Sequence, residues 1–547
     1  MRSKLLSICI LITLIGWNPI STSAQYGELE AYMDRLNELR RFNGVVLIGD
    51  KDRVVFEHAV GQADAEGNEK IKRQTSFYIG SVTKPFTATL VLQAVERGEI
   101  SLFDTLASFF PRINMADEVT IRHMLSHTSG IGSYTDMSSM KRWKNRENSR
   151  EEMLSRIEDL RPRFKPGERY EYSNSNYYLL GAILEEVQRK TYEEILREGI
   201  LGPLGMKHSG IDPGAAQKHM AEGLSPTLQA WESVELVHLS VPFAAGAMYS
   251  NATDLHSFSQ ALFASELFKV PQSLELMTTT VEGNYGLGLF QLEVEGESAL
   301  GHTGGIDGYS ALMLFFPSSG LHFISLSNSL VSDHLDIASA AMRLHNGESI
   351  ELPETRQATL LPPELLQRYA GSYSLEAGFL LDVQARQGYL TCQVPGQDVV
   401  ELLAANDTAF YSEIHNLDLF FQVDSAGAAV ESIRLDQAGY SFKGTPFQLP
   451  SSVLALPQKK LQRLIGVYAL GPGFDLEVSL MDEKLMAQAT GQDAFELIAE
   501  SETRFFATVA PIDIEFDLDK TGRAKGLTLK QSGQVIYAER EGHEADE

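Results

Sequence analysis

Serine, lysine and tyrosine occur in this chain at spacings that would let them exchange protons. Ser81-Val82-Thr83-Lys84 introduces a mostly apolar helical stretch over residues 86–95, which Gly98 ends. Three residues is close to one helical turn, so Ser81 and Lys84 share a face, and the helix N-terminus adds a positive field around the hydroxyl. An amine beside buried apolar residues loses solvation, so its neutral form becomes accessible and can take the serine proton. Ser81 would then be a nucleophile. Alone the motif is short enough to arise by chance, and its ordinary meaning is an N-cap serine followed by a surface lysine.

Two later segments supply partners. Tyr172-Ser173-Asn174 follows Pro166-Gly167 and precedes a helical run over residues 177–187, so it reads as a loop entering a helix. A phenol held near two cations can ionise or relay a proton to a leaving group, and an amide can donate to a substrate carbonyl. His302-Thr303-Gly304-Gly305 ends a predicted strand. Glycines there let substrate approach the backbone, an exposed strand edge could pair with a peptide-like substrate, and its N–H groups could stabilise an oxyanion. Taken singly, these segments are a helix cap and a strand ending in a glycine turn.

Elements far apart must bring them together. At 547 residues the chain is several times what one core organises, which predicts about three domains. The first, residues 25–350, opens with a hairpin: residues 45–48, a Gly49-Asp50-Lys51-Asp52 turn and residues 54–56. Helical patterns fill its middle. Strands around residues 300–302 and 309–316, a Pro317-Ser318-Ser319-Gly320 turn and a strand over 321–326 come near its end, so the sheet is built from both ends of the domain with helices between. Past about residue 350 short alternating strands punctuated by glycine take over. Leu361-Pro362-Pro363 and residues 446–457 read as linkers. Between them and the C-terminus the sequence repeats at an offset of 95 residues: Gly371 and Tyr373 recur as Gly466 and Tyr468, Gly396-Gln397-Asp398 as Gly491-Gln492-Asp493, and Phe410 as Phe505. Each repeat has the pattern of an antiparallel meander closed into a small barrel or sandwich, over residues 362–448 and 457–542.

Taken together, the order of the motifs, the tyrosine before a helix and the histidine on a late strand resemble the serine β-lactamase, DD-peptidase and esterase superfamily, whose third motif reads Lys-Thr-Gly or His-x-Gly. Leu125-Ser126-His127-Thr128-Ser129-Gly130, Pro203-Leu204-Gly205-Met206 and Ala245-Gly246-Ala247-Met248-Tyr249-Ser250 look like stretches common there. The resemblance covers about residues 35–345. It implies an α+β architecture: a β-lactamase/transpeptidase-like catalytic domain, an antiparallel sheet flanked by helices, followed here by two tandem antiparallel β-barrel domains. Ser81 would be acylated, Lys84 and Tyr172 would share proton transfers, and Asn174 would help hold substrate. His302, Thr303 and Gly304 would line the far wall. The oxyanion hole would be the backbone N–H groups of Ser81 and Gly305. No metal or cofactor is implied.

His302 stands where β-lactamases carry lysine, and an unperturbed imidazole is mostly neutral at pH 7. Recognition of a substrate carboxylate should weaken, which favours small esters, amides or peptides without one over β-lactams or C-terminal D-alanine. D-aminopeptidases and related amidases of the superfamily also carry His-x-Gly, some followed by two small barrels. In such enzymes a trailing barrel shapes the pocket, so the turn at Gly396 or Gly491 could face the site, against its plainer meaning as a hairpin turn. Penicillin binding, β-lactamase activity, or a sensor that binds or acylates without turnover are the competing functions.

The remaining signals bound the setting. Arg2 and Lys4, an apolar run over residues 5–17 and Thr22-Ser23-Ala24 read as a cleaved export signal over residues 1–24, which predicts a periplasmic or secreted protein. No later apolar run is long enough to predict stable membrane insertion. The net charge of −27 disfavours nucleic acid and anionic lipid surfaces, and the resemblance implies a small-molecule or peptide substrate as partner. Nothing in the sequence reports the oligomeric state. Beyond Cys9 in the signal the chain has Cys392 alone, expected as a small half-buried strand residue. His123 and His127 have helical i, i+4 spacing, but with no glutamate after His123 they read as hydrogen-bonding residues and not metal ligands.

Overall fold

The computed structural model describes residues 26–542 except 52, 377, 396, 426, 428, 438, 439, 448–453, 472, 473, 482, 491, 493, 508, 532 and 533. The expected export signal therefore lies outside the described residues, as do Gly396 and Gly491. The N-terminal part carries a six-stranded sheet in the order β2-β1-β6-β5-β4-β3, from β1 (Gly44–Asp50), β2 (Arg53–Val60), β3 (Phe290–Val294), β4 (Glu297–Ile306), β5 (Tyr309–Phe316) and β6 (Leu321–Ser327). The pairing of Gly44 with Ser327 joins the two ends of the domain, as expected from the sequence. The opening hairpin has a tighter connection than the four-residue turn expected, because β1 runs on through a bulge at Ile48/Gly49 to pair Asp50 with Arg53.

Helices cover both faces, which is why β1 reads as an unbroken apolar run. Alternation sends Val46 and Ile48 to one face, where they meet Leu29 and Met33 of α1 (Gly27–Glu38) and Ile337 and Ala341 of α5 (His334–His345). Val45 and Leu47 point the other way. There they join Phe86 and Leu90 of α2 (Thr83–Glu96), Leu180 and Ile183 of α3 (Asn174–Gln188), and Leu255 and Phe258 of α4 (Ala252–Phe263). This second, larger core holds the elements that carry the motifs.

Each repeat folds as a closed eight-stranded antiparallel barrel, one from Gly371–Leu375 to Tyr440–Phe447 and the other from Gly466–Gly471 to Gln534–Arg540. The 95-residue register has a physical basis. Tyr373 donates to the carbonyl of Tyr369 at 2.8 Å, and Tyr468 to that of Leu464 at 2.6 Å. The edge-on pairs Tyr373–Phe421 and Tyr468–Phe516 recur at 5.7 and 5.8 Å between ring centroids. Cys392 is fully inside its barrel instead of half-buried, and burial pushes its thiol up to about 12. Among the described residues no helix is long and apolar enough to cross a membrane.

Candidate active site

Ser81 lies in the single turn Gly80–Val82 that feeds directly into α2. Gly80 has φ +50°, and a Cβ there would sit 2.7 Å from the backbone nitrogen of Gly305. A Cβ on Gly304 would come 2.0 Å from the carbonyl oxygen of Ile79. Only bare backbone on both sides lets β4 run this close to the serine turn.

Lys84, one turn into the helix, is 0% exposed. Its Nζ lies 2.9 Å from Ser81 Oγ, 2.9 Å from Asn174 Oδ1 and 2.7 Å from the carbonyl oxygen of Ala245. Burial pushes its pKa well below the usual lysine value. A neutral amine has two N–H donors and one lone pair. The amide and carbonyl oxygens can only accept, so they take the two donors and the lone pair is left facing the serine hydroxyl.

The Tyr172 hydroxyl is hydrogen-bonded to Ser81, and Lys84 Nζ lies 4.9 Å from the centre of its ring. Here the structure differs from the expectation of a phenol that ionises between two cations. Burial raises the Tyr172 pKa above its ordinary value and disfavours a positive charge on both neighbours: Lys84 is shifted towards the neutral amine and His302 is pushed down to about 3. Burial keeps the phenol protonated, so it can donate a hydrogen bond. Asn174 opens α3, its Oδ1 held by Lys84, its Nδ2 donating to Thr135 at 3.3 Å and its backbone N–H to Ser133 at 3.1 Å.

The third motif is placed differently from expectation. His302 is 1% exposed and lies behind the cleft: Nδ1 donates to the carbonyl of Thr303 at 2.5 Å and Nε2 accepts from Tyr285 at 3.1 Å. With both nitrogens engaged it shapes the wall from behind instead of meeting substrate. Thr303 is exposed but borders a separate hollow with Ser332, His334 and Leu335. Gly304 is the close-approach position already described. Gly305 does face the cleft, a hollow of about 200 Å³ also lined by Ser81, Asn174, Met140, Val241 and Asp307. Strand β3 pairs with β4 only as far as Gly301, so β4 from His302 onwards has one open edge. The two-residue turn after Ile306 makes Ile306–Tyr309 a hydrogen-bonded pair, and alternation then turns the N–H of Gly305 to the open edge, towards the space above Ser81.

Several contributors were given no role by the sequence. The Ala245 carbonyl is backbone, and Tyr285 stands in no motif. His127 carried the ambiguous histidine spacing and a place in a stretch that resembles the superfamily, neither of which gave it a role, and the two histidines serve separate networks: His123 Nδ1 accepts from the Thr120 N–H at 3.3 Å, His127 Nδ1 from Ser173 at 3.1 Å. Beside the cleft the second barrel leaves a groove of about 320 Å³, where Gln492, Thr490 and Asp475 face Ser133 and Asp136. Gln492 belongs to the turn whose Gly491 lies outside the described residues.

The family model described as Beta-lactamase matches residues 29–346, and one described as a domain of unknown function (DUF3471) matches residues 451–544. Penicillin-binding protein 4* of Bacillus subtilis (strain 168) is 26% identical over 428 residues, 73% of this chain and 94% of that protein. The octameric penicillin-binding protein homologue from Pyrococcus abyssi is 25% identical with a TM-score of 0.54, over 76% of this chain and 99% of its own. A D-stereospecific amidohydrolase from Streptomyces sp. is also 25% identical, with a TM-score of 0.51, over 58% of this chain and 98% of its own.

Proposed function

Because the chain belongs to the β-lactamase family, a branch of the serine hydrolases, we propose that it forms an acyl-enzyme on Ser81 and hydrolyses small amide, peptide or ester substrates, in the manner of a D-aminopeptidase, amidase or esterase. One observation carries this reading: the Nζ of a fully buried Lys84 lies 2.9 Å from Ser81 Oγ, with burial lowering its pKa well below the ordinary lysine value. Ser81 Oγ attacks the substrate carbonyl carbon as its proton passes to Lys84 Nζ. Charge developing on the carbonyl oxygen is met by the N–H groups of Ser81 and Gly305. Tyr172 hands its proton to the departing amine or alkoxide and is reprotonated from Lys84, and water then opens the ester on Ser81 by the reverse route. Side chains and backbone suffice for each step. The pattern of residues 1–24 supports export to the periplasm or the medium.

A second reading, acylation by penicillin with or without turnover, is favoured by the similarity to penicillin-binding proteins, one of which aligns over 94% of its length. A β-lactam is a cyclic amide and would be opened by the same attack. With His302 neutral and turned from the cleft, it would need another partner for its carboxylate.

The test is mass spectrometry after incubation with a fluorophosphonate and with penicillin, alongside turnover of D- and L-aminoacyl anilides, short nitrophenyl esters and nitrocefin. Labelling that Ser81→Ala removes, with turnover of anilides or esters, supports the hydrolase. Nitrocefin turnover alone would favour the second reading. Labelling that survives Ser81→Ala would sink both.

A further inference from the structure

The cleft beside Ser81 is mostly apolar, with Met140, Val237, Val241, Pro242, Ala245 and Ile306 in its lining. Of the described residues that line it, Asp307 alone carries a formal charge. Its Oδ2 takes the Lys144 ammonium at 2.7 Å, and each side chain keeps about a quarter of its surface, 26% and 27%. Asp307 follows Gly305 by two residues, no more than about 7 Å of extended chain. A group attached next to a carbonyl held by the Gly305 N–H therefore shares the cleft with this carboxylate.

We infer that Asp307 is the acceptor for a substrate ammonium group, so that the preferred acyl donor is an amide, peptide or ester of an amino acid with a free amine and an apolar side chain. The inference rests on the acyl-enzyme reading above and adds its substrate class. Lys144 holds the carboxylate in the structure. A carboxylate has lone pairs for more than one donor, so a substrate ammonium can join or displace the lysine, whose flexible stem can move aside. The same charge acts against the alternatives. An acylated amine would bring an amide where an ion pair is wanted, and a substrate carboxylate would meet the like charge of Asp307, whose Lys144 partner is already engaged. The apolar lining lowers the local dielectric and sharpens both preferences.

The experiment follows protection of Ser81 from fluorophosphonate labelling by leucine boronic acid and by its N-acetyl form, which add reversibly to a serine hydroxyl whether or not any substrate turns over. The free-amine boronate should protect at a concentration at least tenfold lower than the acetylated one. Asp307→Asn should bring that ratio close to one, a change of ten- to a hundredfold for a charged hydrogen bond, and Lys144→Met should keep it. Equal protection by the two boronates in the native protein, or none by either, would overturn the inference. So would an Asp307→Asn protein in which both weaken alike and the ratio stands, since the pair would then only clasp the hairpin to the loop above the cleft. A ratio lost in Lys144→Met, with tighter binding of a succinylated boronate to the native protein, would make Lys144 a carboxylate site instead. Failure of Ser81 to label at all would fall on the acyl-enzyme reading itself.

Discussion

The imidazole of His127 accepts the backbone N–H of Ser173 at 3.1 Å while its ring lies 4.3 Å from that of Tyr172. One buried side chain thus fixes both the peptide and the ring of the second motif. The same Nδ1 is 3.2 Å from Asn176 Nδ2, so it is the acceptor and the ring proton resides on Nε2. Burial holds the His127 pKa well below its usual value, which preserves the neutral acceptor that a protonated ring would lose.

Replacing His127 by phenylalanine keeps the ring and deletes the acceptor. The Ser173 N–H is then buried without a partner, a cost of about 1–3 kcal/mol. Tyr172 loses its alignment, and kcat should fall roughly 100-fold, the scale of a misplacement near 1 Å. Thermal unfolding and steady-state kinetics read the two effects. A variant matching the native protein in both would show that the contact positions nothing.

Lys84→Met should slow Ser81 acylation by roughly 10³-fold, the usual worth of a general base. Lys84→Arg should be as slow although it keeps a cation, because guanidinium does not give up its proton. In the native protein acylation rises with pH as Lys84 deprotonates, and because burial lowers that pKa the plateau is reached well below the ordinary lysine value of 10.5. A stopped-flow pH profile whose acid limb lies near 10.5 would contradict the neutral-amine assignment.

These cases mark where the sequence was legible. Ser81, Lys84, Tyr172, Asn174 and Gly305 converge because each motif encodes its own local geometry and the α+β scaffold supplies the rest. Charge states were legible in part: the apolar run beside Lys84 already favoured its neutral form, whereas an ionised Tyr172 was expected and burial keeps it protonated. His302 illustrates a second gap: strand alternation shows that neighbours diverge but not which of them faces a cleft, and Thr303 and His302 both turned elsewhere. The apolar run suggested a helix from residue 86, whereas α2 starts at Thr83 because Pro85 falls in its first turn, where a missing N–H is harmless. The tandem barrels were readable because their repeated Tyr–Phe pairs keep a constant offset.

Gly304→Ala tests the approach of β4 to the serine turn. Its Cβ would lie 2.0 Å from the Ile79 carbonyl oxygen, backbone that cannot turn aside, so the strand or the turn must shift. Overpacking of this kind costs about 1–3 kcal/mol or more. A lower melting temperature together with slower fluorophosphonate labelling is expected. Gly27→Ala, where a Cβ meets nothing within 4 Å, should change neither. If Gly304→Ala lowered stability with labelling intact, the close approach would matter to the fold and not to the placement of the oxyanion donors.

Acid stability follows from five buried histidines. Burial holds His302 and His334 at about 3, His256 and His322 at about 4, and His127 well below its usual value. The unfolded chain binds these protons near pH 6.5 and the folded chain does not, so between the two values stability rises with pH. The contribution is fully present above about pH 6.5 and is lost as pH falls towards 4 and 3. Asp333 opposes it: burial raises that carboxyl to about 6, so from pH 3.8 to 6 the folded state binds the extra proton. Glu57, whose carboxyl burial also raises, acts with Asp333, and two groups against five leave the net direction unchanged. Thermal midpoints should be highest near neutral pH and drop steeply below pH 6, with a shallower slope in His334→Gln. A midpoint that holds steady from pH 7 to 4 would mean that these rings take up protons without unfolding and that their burial does not control the acid limit.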